Sequence, residues 1–188
     1  MATLKLNSYE LFTQSENNRP EFGAGVPAGC ILQVKQGLKT DSFDTSVGYY
    51  VDVPNLSVTI KPKFASSNVL INCCIWAVSS YYVGHIGLFQ DNIELGLADA
   101  AGSRPRGFLD FTHQDDDAAN HGIMVNVTGQ LLVPVNDTSE RIYKIKASSR
   151  YDSPNSQTMW INRSETDRNT NTFDQRHVST ITVMEIAT

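Results

Sequence analysis

Residues 123–135 read Ile123-Met-Val-Asn-Val-Thr-Gly-Gln-Leu-Leu-Val-Pro-Val135, and their apolar side chains fall on alternate positions. Ile123, Val125, Val127, Leu131, Val133 and Val135 are all odd, with Asn126, Thr128 and Gln130 between them. A period of two sends successive side chains to opposite faces of an extended chain, so one face is apolar and the other polar. Gly129 interrupts the series and predicts a bend or bulge. The same alternation recurs at Leu56, Val58 and Ile60 and again at Tyr143, Ile145 and Ala147. The run Asn68-Val-Leu-Ile-Asn-Cys-Cys-Ile-Trp-Ala77 is denser, as for a strand covered on both sides. The chain ends on Val178-Ser-Thr-Ile-Thr-Val-Met-Glu-Ile186, rich in β-branched residues.

Turn-forming clusters separate these runs, among them Val53-Pro-Asn55, Ala65-Ser-Ser-Asn68, Asn136-Asp-Thr-Ser139 and Asp152-Ser-Pro-Asn155. Their spacing predicts about eight to ten strands and no helix of useful length. A single sheet of that size leaves an apolar face bare, so two sheets packed face to face are expected. The fold class is therefore all-β: a two-sheet, jelly-roll-like β-sandwich over residues 28–188. Residues 1–27 form a short extended N-terminal arm and connector. Leu4, Leu6, Leu11, Phe12 and Phe22 are its candidate assembly contacts, by strand addition to a partner or packing along a neighbour.

Length and charge narrow the function. At 188 residues the chain suits one domain with an appendage. A net charge of −5 argues against a nucleic-acid partner. No apolar run reaches the length of a spanning helix, and the first residues lack a signal-peptide pattern. Folding in a cytoplasm without membrane insertion is expected, with any later location reached by assembly or lysis. Of the three cysteines, Cys73 and Cys74 are neighbours on one strand and face opposite ways, while Cys30 sits among apolar residues. All three read as small buried hydrophobes.

Three groupings bear on chemistry. His113, Asp115, Asp117 and His121 lie in one acidic loop, where carboxylates and imidazoles could hold a divalent cation, with Asp110 nearby. Their spacing matches no known metal loop, and an aspartate run also reads as a solvated turn. Arg163, Asp167, Arg168, Asn171, Phe173 and Arg176 lie in the most polar stretch, suited to recognising sugars or protein surfaces; a long loop covering a sheet edge is the competing reading. Asp99 with Arg104 and Arg106 suggests an ion-pair cluster. No serine sits in a Gly-x-Ser-x-Gly elbow and no glycine-rich phosphate loop occurs. Neither an enzyme nor a cofactor is expected.

Several segments, in order, resemble a domain found in the C-terminal regions of tail-fibre-like and decoration proteins of marine and cyanobacterial tailed phages. They are Val26-Pro-Ala-Gly-Cys-Ile-Leu-Gln-Val34, Leu56-Ser-Val-Thr-Ile-Lys-Pro62, Leu97-Ala-Asp-Ala-Ala-Gly-Ser-Arg104, Trp160-Ile-Asn-Arg-Ser164 followed by Asp167, and Ser179-Thr-Ile-Thr-Val-Met-Glu-Ile186. The resemblance covers roughly residues 26–188. It implies a jelly-roll-like, homotrimeric structural protein of the virion, working by binding and assembled in the host cytoplasm. Cys30 stands where relatives usually carry Ser or Thr. The arm is short where they carry a long fibre chain, which favours a capsid decoration or cement protein held to the major capsid protein or other virion proteins. The alternative is a tail-fibre or receptor-binding tip that recognises a host surface glycan or protein.

Overall fold

The computed structural model describes residues 2–14, 20–80, 83–112, 124–149, 157–169 and 174–188, and among these the chain forms fourteen strands and no helix. It opens with β1 (Thr3–Leu6), β2 (Tyr9–Gln14) and β3 (Pro20–Phe22). There follow β4 (Ile31–Lys39), the short β5 (Phe43–Thr45), β6 (Val51–Ile60), β7 (Asn68–Ser79) and β8 (Val83–Gln90). Next come the short β9 (Ile93–Leu95) and β10 (Leu109–Thr112), then β11 (Val125–Pro134), β12 (Arg141–Ser148), β13 (Met159–Ile161) and β14 (Ser179–Ile186).

Two antiparallel sheets form the body. One has the order β4–β14–β7 with β11 on the far side of β7; the other has the order β10–β8–β12–β6, with β9 also on β8. The chain crosses between the sheets from β5 to β6, β6 to β7, β7 to β8, β10 to β11, β11 to β12 and β12 to β13, while β8, β9 and β10 share a sheet; the two sheet orders are those of a jelly roll. The expected all-β, two-sheet, jelly-roll-like sandwich is the observed architecture.

The alternating runs fill the space between the sheets. Leu56, Val58 and Ile60 from β6 and Tyr143, Ile145 and Ala147 from β12 face Val69, Ile71 and Ile75 from β7 and Ile181 and Val183 from β14, all buried. Full burial of one such aliphatic side chain is worth about 1.5–3 kcal/mol. A one-residue slip would turn a whole strand's set outward, so the core sets the register.

One lane of the first sheet is interrupted. Ala77 pairs with both Val125 of β11 and Ile161 of β13, so β13 lies on the side of β7 that β14 also occupies. β13 and β14 are two pieces of one lane, which the chain leaves after Ile161 and rejoins at Ser179. In the next lane β4 and β5 are split in the same place, since Lys39 pairs with Ser179 and Phe43 with Ile161. Asn162 plugs the junction. It is buried with φ 62°, its side-chain amide donates to the Lys39 and Asp41 carbonyls at 2.8 and 3.1 Å, and its carbonyl oxygen accepts from Ser179 Oγ at 2.6 Å.

At the other end of β14, fully buried Glu185 accepts hydrogen bonds from Gln33 Nε2 (2.5 Å), the Lys63 and Phe64 amides (2.7 and 3.2 Å) and Ser67 Oγ (2.7 Å). A buried carboxylate is tolerated only with such a donor set, and this one fastens the 63–67 turn to the last strand.

Four expectations are corrected. Gly129 is neither bend nor bulge: the β11–β7 ladder runs unbroken from Val125 to Pro134. A Cβ at Gly129 would lie 2.8 Å from Phe108 Cζ and 2.9 Å from Leu109 Cδ2, so the residue makes room for groups beside the opposite sheet. β7 is not covered on both sides: its inward residues are buried, while outward Leu70, Asn72, Cys74 and Trp76 are only half-buried. Cys73 is buried, with its thiol pushed up to about 12 by desolvation, but Cys30 and Cys74 are half-buried. Finally, the arm does not stay extended but folds back twice as a three-stranded antiparallel meander, β1–β2–β3.

Gly129→Val should destabilise the sandwich by about 1–3 kcal/mol through overpacking against Phe108 and Leu109. Urea unfolding would show this as a lower midpoint with an unchanged slope.

Candidate assembly site

The meander owes its shape to short-range signals. Asn7, with φ 55°, adopts the left-handed conformation of the tight turn between Leu6 and Tyr9. Leu4 pairs with Phe12 and Lys5 with Glu10, so Leu11 is the extra residue of a bulge and is half-buried. The exit folds back on β2: the Gly23 amide donates to Leu11 O and the Gly25 amide to Glu10 O, both at 2.9 Å. A Cβ at Gly23 would sit 2.3 Å from Glu10 O, so this close approach requires glycine.

Alternation then sorts the side chains. Leu4, Phe12 and Phe22 form one row across the three strands, with the Phe12 and Phe22 rings 5.4 Å apart. Leu6 and its partner Tyr9 continue the same face. Thr3, Thr13 and Glu21 take the opposite face, as does the Lys5–Glu10 pair at 3.0 Å. Leu4, Leu6 and Tyr9 are 60%, 63% and 64% exposed. Ala2, Leu4, Phe12 and Pro20 line part of an apolar groove of about 630 Å³ along this module. A three-stranded sheet draws its stability from covering its apolar face, and the sandwich core leaves this one open.

Of the residues named for assembly, the structure thus gathers Leu4, Leu6, Phe12 and Phe22 on one face and puts Leu11 at the bulge. Tyr9 joins them; its place opposite Leu6 across an Asn-Ser turn is the signal that could have found it.

The polar stretch is a knot tied around Asp174. This carboxylate accepts from Arg168 Nε (2.6 Å), Ser164 Oγ (2.6 Å), Thr166 Oγ1 (2.7 Å) and the Arg168 amide (3.1 Å), and its side chain is wholly covered. The Arg168 guanidinium, then the Ser164 hydroxyl, hold Asp174 well below the usual carboxylate range. Asp167 pairs with Arg176 at 2.8 Å and with Arg163 at 3.7 Å. The loop therefore brings Arg163, Asp167, Arg168 and Arg176 together and engages them with its own carboxylates. Asn171 and Phe173 lie outside the described residues, as do His113, Asp115, Asp117 and His121. Among the described residues no three His, Cys, Asp or Glu side chains converge as a metal site. Asp110 instead meets buried His85, Oδ1 to Nδ1 at 2.5 Å, and Arg106 donates to Ala98 O at 3.3 Å. The pairing of Asp110 with His85 depends on β10 lying beside β8, which local sequence does not encode.

No protein-family model matches the chain, and no curated protein matches it.

The knot carries a pH dependence of known sign. Because Asp174 is depressed in the folded loop, its contribution is complete above the unfolded value near 3.8 and is lost as pH falls below that toward the depressed folded value. Asp174→Asn should abolish this dependence and raise amide hydrogen exchange at Arg168 at neutral pH, leaving exchange in β7 unchanged.

Proposed function

We propose that the chain is a non-enzymatic structural protein of a tailed-phage virion, a homotrimeric capsid decoration or cement protein that docks through its N-terminal meander. The observation that carries this reading is the exposed Leu4, Leu6, Tyr9 and Phe12 face on a module folded apart from the sandwich core. Such a face is an interface awaiting a partner. The meander is small and edge-rich, suited to lying on a neighbouring shell subunit, with the major capsid protein the natural candidate. The jelly roll behind it is an architecture used by viral capsid domains, an analogy of fold rather than of function.

A second reading, a fibre or receptor-binding tip for a host glycan or protein, is favoured by the polar loop that leaves the sheet after Ile161, described over residues 162–169 and 174–178. Its described arginines are engaged with Asp167 and Asp174, which leaves fewer free groups for recognition than the sequence implied.

Two measurements decide between the readings. Quantified in purified virions, the protein should track the major capsid protein in copy number; a few copies per tail would overturn the decoration role. Deleting residues 1–25, or the paired change Leu6→Lys and Tyr9→Lys, should leave a folded sandwich that no longer binds particles. Normal decoration by either variant would sink the meander as the docking element.

A further inference from the structure

The outward face of the β4–β14–β7–β11 sheet differs from the surface around it. Register places Val34, Met184, Leu70 and Leu132 in one row across all four strands. The next row is Gln36, Thr182, Asn72 and Gln130, and the one after it is Leu38, Thr180, Cys74 and Thr128. These three rows contain no charged residue, in a chain with 15 basic and 20 acidic ones. The other sheet is different: Lys144 and Lys146 of β12 pair with Asp52 of β6.

Val34, Leu38 and Leu132 are each more than half exposed on this face. Its amides are already engaged in the plane of the sheet, Gln36 Nε2 donating to Thr182 Oγ1 at 2.9 Å and Gln130 Nε2 to Asn72 Oδ1 at 2.7 Å. Covering the face therefore strands few polar groups. The central strand points the same way, since β7 has the composition of a strand covered on both sides but lacks cover outside. At one end the face is bounded by Trp76, stacked on His177 at 4.1 Å, and by the ion-paired loop beyond them. A neutral centre beside a charged rim is the anatomy of a protein interface.

We infer that this face is where copies of the chain meet, turned inward toward the axis of the oligomer. Each copy carries a net charge of −5, so contact through most of the surface brings like charge together. Contact through these rows buries none. A strongly charged partner would have to desolvate its own charges against neutral amides and methyls, so the fitting partner is itself neutral there. A second copy supplies such a surface, and closed symmetry around one axis presents it to every neighbour.

The inference rests on the assembly reading above and adds the surface through which self-association occurs. Sedimentation of the full chain at micromolar concentration tests it. Wild type and a control, Ser57→Glu on the outer side of the other sheet, should sediment as one oligomer. Leu132→Lys and Gln130→Glu should weaken association by at least about tenfold while keeping the far-UV spectrum of a folded β-protein and a cooperative melt. Gln36→Glu, on the opposite edge strand, covers the case in which one variant fails to fold. A monomeric wild type overturns the inference, including one whose face instead takes up a glycan or another virion protein. So does an oligomer that survives charged substitutions on both edge strands, or one lost only when residues 1–25 are removed. Particle binding is scored separately, so failure of the docking role leaves the sedimentation result standing.

Discussion

The sandwich depends on how a broken lane is closed. Between Ile161 and Ser179 a central lane of the first sheet loses its chain, and buried backbone groups on both sides would be left without partners. Asn162 and Ser179 meet that need between them, Ser179 Oγ accepting from the Trp76 amide at 3.0 Å. The left-handed backbone of Asn162 turns the chain out of the sheet while its side-chain amide takes up the Lys39 and Asp41 carbonyls and its oxygen holds Ser179. Its own amide donates to Trp76 O at 2.9 Å, so the ladder with β7 crosses the gap. Asparagine suits the post because it tolerates positive φ and carries donor and acceptor on one short side chain.

Two covered carboxylates repeat this principle at larger scale. Glu185 gathers the 63–67 turn onto the last strand, and Asp174 gathers the 164–168 turn onto the end of its own loop. Each collects several donors from segments that lack a ladder to hold them. The apolar core sets the strand register, and these acceptors fix the connections. The division explains why the body is aliphatic while Ser, Thr and Asn crowd the loops.

The fold was largely legible in the sequence because its signals are local. Leu56-x-Val58-x-Ile60 and Tyr143-x-Ile145-x-Ala147 state their buried face by period alone, and two-sheet packing follows from the number of such runs. The misreadings come from contacts between distant segments. Gly129 reads as a bend in the sequence because the Phe108 ring it accommodates comes from a distant segment, just before β10. The density of Asn68–Ala77 implied cover on both sides, and one side is open. At the candidate site, Leu4, Leu6, Phe12 and Phe22 were visible as arm residues, but their union on one face required the bulge at Leu11. The charged loop residues are visible as well; their mutual neutralisation is not, because Asp174 gathers Ser164, Thr166 and Arg168 only once the loop has folded.

The interrupted lane also separates two properties that a continuous strand ties together. In an ordinary strand an insertion shifts every later side chain to the other face. Here β13 and β14 are each registered to β7 on their own, and Asn162 with Ser179 bridges the gap between them. The side chains that these two strands place in the core are therefore set by pairing with β7 and not by the number of residues between them.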